Sequence, residues 1–151
     1  MVRDGAVIFM GRLVEHPKDT LVFGRAIGMH YVPGRDDASR ADIRLRPWKA
    51  AWPRYIRVRS PRFIEGTLEN GVSLNEMMNA LGSNSFAPTK RHSLSGRGNT
   101  NPQASLMQKA AMELTPEAIA WLDRSLERCF RKHGQIPPSE LDKLDWPKIK
   151  L

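Results

Sequence analysis

Residues 40–62 contain the side chains whose types and spacing best suit binding to a polyanion. Eight basic residues stand there against a single acid, Asp42, so the segment accounts for +7 of the chain's net charge of +8. The basic residues are Arg40, Arg44, Arg46, Lys49, Arg54, Arg57, Arg59 and Arg62, and the interleaved aromatic residues are Trp48, Trp52 and Tyr55. Because guanidinium groups bind phosphates and aromatic rings stack on bases, this composition indicates a nucleic-acid partner. The alternative is a solvated arginine face with the tryptophans in the core, and under either interpretation we expect at least one tryptophan to be buried.

A second basic segment, residues 85–99, contains no acid and is rich in Ser, Asn and Gly. Its polar candidates are Thr89, Lys90, Arg91, His92, Arg97 and Asn99. Gly96 and Gly98 would make a loop here flexible, so that it could wrap a phosphate backbone or close over a flipped base. A disordered surface insertion is the alternative.

Other kinds of site have little support in the sequence. The four histidines are scattered, and Cys129 is the single cysteine, so we expect neither a metal site nor a cofactor. Cys129 lies on a predicted helix, where packing or surface exposure explains it better than nucleophilic catalysis. Asp36 and Asp37 form the one adjacent acidic pair, which turn formation and helix capping explain more simply than a nuclease metal.

The overall composition is that of one soluble domain. A chain of 151 residues can bury a real core, and its single cysteine indicates a reducing compartment. No apolar run approaches the roughly 18–20 residues that span a bilayer, and the N-terminus lacks a signal-peptide pattern. We therefore expect a cytoplasmic protein with no membrane partner.

Apolar periodicity predicts three strands, at residues 6–14, 21–29 and 55–59. The second strand has small residues along one face, which favours tight curvature or close backbone approach. In the third strand Ile56 and Val58 would face the core, and the tyrosine and arginines would lie on the surface.

Capping signals predict the helices. Ser73 opens a helix at residues 74–81 that Gly82 ends, and Asp37 or Ser39 would cap a short helical turn. Thr115 and Pro116 begin the clearest helix, with an apolar stripe that continues until Gly134 ends it. The stripe consists of Ile119, Leu122, Leu126 and Phe130.

These elements predict an α+β domain over residues 1–134, with a small curved antiparallel sheet or partial β-barrel and flanking helices. Residues 83–101 are predicted to be a long polar loop. Residues 135–151 would be a tail that packs back on the domain.

Five segments also match family motifs in order and spacing: residues 3–9 (RDGAVIF), 22–28 (VFGRAIG), 52–58 (WPRYIRV), 72–77 (VSLNEM) and 112–117 (MELTPE). Together they resemble the EVE domain of the PUA-like superfamily. Asp4 and Gly5 are swapped relative to the family motif, and the family's opening strand and first helix would precede residue 1. The resemblance implies that a single base, plain or modified, is read in a pocket at the barrel edge.

Within that picture each candidate residue takes a role from its type and position, while the family motif itself carries over only Trp52. Phosphates would be held by Arg54, Arg57, Arg59 and Lys90 or Arg91, and Arg97 is a further candidate for nucleic-acid contact. The base would be stacked or walled by Trp48, Trp52 or Tyr55, and its edge would be hydrogen-bonded by Asn84 or Asn99.

We therefore expect a non-catalytic module that binds DNA or RNA. One alternative is a nuclease, or another component of a nucleic-acid-processing enzyme, that uses Asp36, Asp37 and His30. Another is a regulatory module whose arginines contact an acidic protein.

Overall fold

The computed structural model describes residues 2–106 and 111–141, and its fold class is α+β, as predicted. The strands are β1 (Val7–Glu15), β2 (Lys18–Gly28), β3 (Val58–Phe63) and β4 (Val72–Ser73). The helices are α1 (Arg40–Leu45), α2 (Leu74–Leu81), α3 (Ala87–Ser95), α4 (Pro102–Leu106), α5 (Pro116–His133) and α6 (Pro138–Leu141). Short 3-10 turns occur at Pro47–Ala50, Leu68–Asn70 and Gly82–Asn84.

The sheet is antiparallel, as predicted, with β2 at its centre. β1 and β3 flank β2, and β4 pairs with Leu21 and Val22 of the same strand. The predicted closure toward a barrel is not found among the described strands, because β1 and β3 end the strand order and do not pair with each other. The sheet is therefore open.

Close backbone approach on β2 follows the prediction from its small residues. Val22, Gly24, Ala26 and Gly28 are the buried positions of the strand. A Cβ atom at Gly24 would overlap the Phe63 ring. Gly28 is also close to a neighbouring segment, because its main-chain N–H donates to the Ala6 carbonyl at 2.7 Å. Larger side chains at these two glycines would displace the neighbouring segments.

A β-bulge interrupts the pairing of β2 with β3. Arg25 lies opposite Arg62 and Ile27 lies opposite Arg59, so Ser60 and Pro61 together face a single residue of β2. Ser60 has a φ of +50°, and Pro61 has no N–H to donate to the ladder. Since cross-strand partners share a face, the bulge places both β3 arginines on the face of Arg25.

The chain divides into two compact units. Unit 1 comprises the described parts of Met1–Phe9, Gly24–Phe63 and Gln135–Leu151, and unit 2 comprises Met10–Phe23 and the described parts of Ile64–Gly134. Strands β1 and β2 contribute residues to both units. In the sequence of unit 1, Gly24–Phe63 holds ten basic residues against three acids, whereas the other segments of the unit are neutral.

Unit 2 is held together by α5, whose bounds and caps match the prediction. The Thr115 hydroxyl accepts from the Ala118 N–H at 3.1 Å and donates to the Asn84 carbonyl, and the helix ends at Gly134. Three members of the predicted stripe, Leu122, Leu126 and Phe130, are buried, whereas Ile119 is half-buried. The α2 prediction is also confirmed, with Ser73 as its N-cap and Gly82 at its end.

The predicted loop at residues 83–101 is wrong, because α3 occupies its centre. Phe86 and Thr89 are buried, and the Thr89 and Ser105 hydroxyls share a hydrogen bond of 2.5 Å. Pro88 lies in the first turn of α3, and Gly96 ends the helix with a φ of +65°. The buried N-cap residue Phe86 and the buried Thr89 therefore anchor the first turn of this helix.

The third predicted strand begins later than expected. β3 starts at Val58, while residues 55–57 lie outside the ladder, and Ile56 is exposed rather than directed to the core. Of the tail, residues 135–141 are described, and the Ile136 N–H donates to the Phe63 carbonyl at 3.0 Å. The rest of the predicted tail, with Leu144 and Trp146 as its candidate packing residues, lies outside the described residues.

None of the described helices combines the length and apolar composition that crossing a bilayer would require.

Candidate functional site

The basic segment of unit 1 begins with a short capped helix. The Ser39 hydroxyl accepts from the Asp42 N–H at 3.1 Å, and the Asp42 carboxylate accepts in return from the Ser39 N–H at 2.8 Å. This reciprocal box starts α1, none of whose residues is buried, and Pro47 follows its C-cap residue Arg46. Arg40 and Arg44 are exposed on α1 and form no ion pair within the described residues.

Both tryptophans of this segment lie on the surface. Trp52 is 72% exposed and Trp48 is 49% exposed, which contradicts the expectation that at least one of them is buried. The 3-10 turn Pro47–Ala50 carries Trp48, and the Ala51 N–H donates to the Trp48 carbonyl at 3.2 Å. Pro53 then stops the turn from extending into a helix. Two large indoles are thus left in contact with solvent.

Lys49, between the two tryptophans, is buried among aromatic rings. Only 5% of the residue is exposed, and its ammonium lies 3.6 Å from the centroid of the Tyr55 ring and 5.2 Å from that of Trp48. It donates to the Arg54 carbonyl at 3.2 Å and forms no ion pair in the part of the chain that the structure describes. The ammonium thereby occupies one face of Tyr55, so a base cannot stack on that face.

Asp36 is the buried centre of the loop that supports this segment. Its carboxylate accepts from Arg35 at 2.7 and 3.0 Å, from Arg57 at 2.8 Å and from the Val32 N–H at 2.9 Å. The guanidinium of Arg35 first, then that of Arg57 and the Val32 N–H, hold the pKa of Asp36 well below its usual range despite burial. Arg57, predicted to bind phosphate, therefore has a structural partner.

Asp37, next to it, is bound just as fully. The Tyr31 hydroxyl donates to one carboxylate oxygen at 2.6 Å and the Gly34 N–H to the other at 2.7 Å. The Tyr31 hydroxyl first, then the Gly34 N–H, lower the pKa of Asp37. The Arg54 guanidinium lies over the Tyr31 ring, 5.1 Å from its centroid. Arg54 is thus exposed but oriented by a ring.

These contacts weigh against the nuclease alternative. Both oxygens of each aspartate already accept hydrogen bonds from protein donors, so a divalent cation would have to displace guanidinium, hydroxyl or amide groups. The backbone carbonyl of His30, the third residue of that hypothesis, accepts a hydrogen bond from the Arg35 guanidinium at 3.2 Å. Among the described residues, no group of three or more His, Cys, Asp or Glu side chains is arranged to hold a metal ion.

Arg59 extends the basic surface onto the sheet. It is exposed, forms no ion pair among the described residues, and lies on the β-sheet face that also carries Arg25 and Arg62. Arg62 donates to the Gln135 side chain at 3.0 Å, and Arg25 lies 6.0 Å from the centroid of the Phe9 ring. Only Arg59 of these three was a predicted site residue. The Ser60–Pro61 pair was the sequence signal for the bulge that groups them.

Three of the five candidates of unit 2, Lys90, Arg91 and Asn99, have local partners for their side chains. Lys90 forms an ion pair with Glu117 at 2.8 Å, and Arg91 lies 3.8 Å from Glu113. Although residues 85–99 contain no acid, glutamates from elsewhere in the chain therefore neutralise Lys90 and Arg91. The backbone N–H of Arg97 donates to the Ser95 hydroxyl at 3.3 Å, and the Asn99 side chain accepts from the Asn101 N–H at 2.9 Å. The Asn84 carbonyl accepts from Thr115.

Unit 2 also contains a cavity of about 400 Å³, which the sequence did not predict. Trp121, Cys129 and Leu21 contribute to its walls, together with Glu69, Glu76 and basic residues of α5. None of the eleven predicted site residues lines it. Burial raises the pKa of the Cys129 thiol, which keeps it protonated and supports packing over nucleophilic catalysis.

The eleven predicted residues therefore separate into two sets. Trp48, Trp52, Arg54, Tyr55, Arg57 and Arg59 belong to unit 1, and Asn84, Lys90, Arg91, Arg97 and Asn99 belong to unit 2. Lys49 and Asp36, which organise the first set, were not predicted as site residues. The aromatic residues close to Lys49 in sequence were the signal that could have identified it as part of the site.

Comparison of the chain with protein-family models, curated proteins and solved structures found no significant match. The EVE resemblance thus stays a prediction. The function has to be inferred from the chain's own residues.

Proposed function

We propose that this protein is a non-catalytic nucleic-acid-binding module whose contact surface lies in unit 1. The observation that carries the proposal is the 72% exposure of Trp52 within the segment that holds nearly all of the net positive charge. A large exposed aromatic side chain is a common mark of an interaction site, and arginines around it favour a polyanionic partner.

The exposed arginines of unit 1 differ in whether they form an ion pair, and the unpaired ones suit this function. Arg35 and Arg57 form ion pairs with the buried carboxylate of Asp36. Three other exposed arginines form no ion pair among the described residues; they are Arg40, Arg44 and Arg59. Phosphate contacts by such arginines release counterions from the nucleic acid, and this release becomes less favourable as the salt concentration rises, so the affinity falls. The same three residues are therefore the proposed phosphate ligands, together with the exposed Arg54.

Aromatic stacking separates this proposal from binding to an acidic protein. An indole that stacks on a base contributes about 1–3 kcal/mol per base, and the contribution does not depend strongly on sequence. Trp52 is the proposed stacking residue, and Trp48 supports it. The EVE resemblance adds the finer proposal that one base, plain or modified, is recognised individually.

Fluorescence polarisation with labelled DNA and RNA oligonucleotides tests the proposal. The panel contains single strands and duplexes, with and without 5-methylcytosine, each at 50 and 150 mM salt. We expect binding that weakens at the higher salt. Trp52→Ala should weaken binding to the preferred oligonucleotide by about 5- to 150-fold, which corresponds to the loss of one stacking contact.

Leu94→Ala is the matched control, because Leu94 is an 80% exposed apolar residue that belongs to unit 2. Its affinity should equal that of the unchanged protein. Absence of binding to every oligonucleotide would refute the proposal. If Trp52→Ala kept full affinity while Arg59→Glu abolished binding, an acidic protein surface would be the better partner.

A further inference from the structure

The exposed apolar side chains of unit 1 are concentrated in one short stretch of chain. Leu45, Trp48, Trp52 and Ile56 are all large, apolar and exposed. Trp48 and Trp52 are four residues apart, so their Cα atoms are separated by at most about 14 Å, the span of four extended residues. Both indoles can therefore engage the same short stretch of a ligand.

An intact duplex has no free base faces on which the indoles of such a surface could stack. The outside of double-stranded DNA presents phosphates and groove edges, while the flat faces of its bases are covered by their stacked neighbours. An indole reaches those faces only if a base step is unstacked or a base is flipped out, both of which cost free energy. A single strand exposes its base faces without that cost, and aromatic residues beside cations are the usual means of binding it.

Unit 1 also lacks an element suited to reading a duplex groove, as far as its described residues extend. α1 has six residues and rises only about 9 Å along its axis, and Pro47 follows its C-cap residue Arg46. The other described helix of the unit, α6, has four residues. β3 is hydrogen-bonded to β2 within the sheet and is not a free ribbon. Groove-reading proteins instead insert a helix of several turns or a two-stranded ribbon.

From these observations we infer that the ligand of the unit 1 surface is a single-stranded nucleic acid, bound by stacking of its unpaired bases on Trp52 and Trp48. This inference rests on the proposed function and specifies its substrate class. Arg44, Arg54 and Arg59 contact the phosphates of the same strand, and each of them is exposed. Duplex binding then uses the arginines alone and is correspondingly weaker.

The test compares a 12-nucleotide oligothymidylate with a blunt 12-base-pair duplex of mixed sequence by fluorescence polarisation at 100 mM salt. The single strand should bind at least tenfold more tightly than the duplex. In Trp52→Ala, affinity for the single strand should fall by about 5- to 150-fold while affinity for the duplex changes less than twofold, so the preference largely disappears. Leu94→Ala should keep the preference. Thermal unfolding of each variant verifies that it is folded.

The outcomes separate this inference from the proposed function. A duplex that binds as tightly as the single strand, or a preference that survives in Trp52→Ala, would overturn the inference while leaving nucleic-acid binding in place. If neither oligonucleotide binds, the proposed function fails and the inference with it.

Discussion

At the scale of single residues, buried charges arrange the exposed ones. Asp36 fixes Arg57 and Arg35, and Lys49 fixes the ring of Tyr55 through a separation of 3.6 Å. Arg57→Ala therefore would not report on phosphate binding alone, because it would also leave a buried carboxylate short of a partner. Arg59 and Arg44 are cleaner positions for measuring phosphate contacts.

The Asp36 carboxylate should make stability depend on acid pH. Its pKa is lower in the folded protein than in the unfolded chain, so its stabilising effect is present above the unfolded-state value of about 4 and is lost as pH falls toward the folded-state value. We expect the Tm to fall steadily between roughly pH 5 and pH 2. Asp36→Asn should lower the Tm at pH 7 by roughly 5–10 °C and flatten this acid dependence.

Circular dichroism melts from pH 7 to pH 2 measure both effects. Asp4→Asn, at an exposed turn of unit 1, is the matched control and should follow the unchanged protein. A Tm at pH 7 that is unaltered by Asp36→Asn would show that the ion pairs of Asp36 do not stabilise the fold.

At this scale the sequence predicts properties that depend on neighbouring residues and does not predict those that depend on contacts between distant ones. Clustering of charge in residues 40–62 is a property of the chain itself and needed no coordinates. The exposure of Trp48 and Trp52 was not predictable, because spacing does not distinguish an indole in the core from one on the surface. The distant partner of Asp36 was equally hidden, since Arg57 lies 21 residues away in sequence, whereas Arg35 is its neighbour.

At the scale of elements, helix ends were predictable and strand details were not. Ser73, Thr115 and Gly134 act within one turn of their own helix, so residue type alone predicts their positions. The bulge opposite Ala26 and the late start of β3 depend on pairing with a distant strand. Pro88 and Gly96 mark the ends of α3, but the polar composition of residues 83–101 is typical of a loop and conceals the helix.

The cap of α5 gives a prediction at this scale. Thr115 is 1% exposed, and its hydroxyl both caps the helix and donates to the Asn84 carbonyl. Thr115→Ala should lower the free energy of unfolding by about 1–2 kcal/mol, because the buried Ala118 N–H and the Asn84 carbonyl both lose their partner. Thr115→Ser keeps the hydroxyl and should recover most of that loss. Urea denaturation measures both variants, and equal stabilities for Ala and Ser would contradict the capping role.

At the scale of the whole molecule, the two units differ in how their charges are balanced. Gly24–Phe63 in unit 1 holds ten basic residues against three acids, whereas unit 2 pairs Lys90 and Arg91 with glutamates. The net charge of a chain describes long-range attraction to a polyanion, but a site requires charges near the contact surface. Binding should therefore depend on where a charge is removed as well as on how many are removed.

Two double variants with equal loss of charge test this dependence. Arg44→Ala/Arg59→Ala removes two charges from unit 1, and Arg91→Ala/Arg97→Ala removes two from unit 2. Each phosphate contact with a single strand contributes about 0.7 to the slope of log K against log salt concentration. The unit 1 variant should thus lose about 1.4 from that slope and bind more weakly at 100 mM salt. The unit 2 variant, whose Arg91 faces Glu113, should keep a slope close to that of the unchanged protein. Equal losses in both variants would mean that binding follows net charge and has no defined site in unit 1.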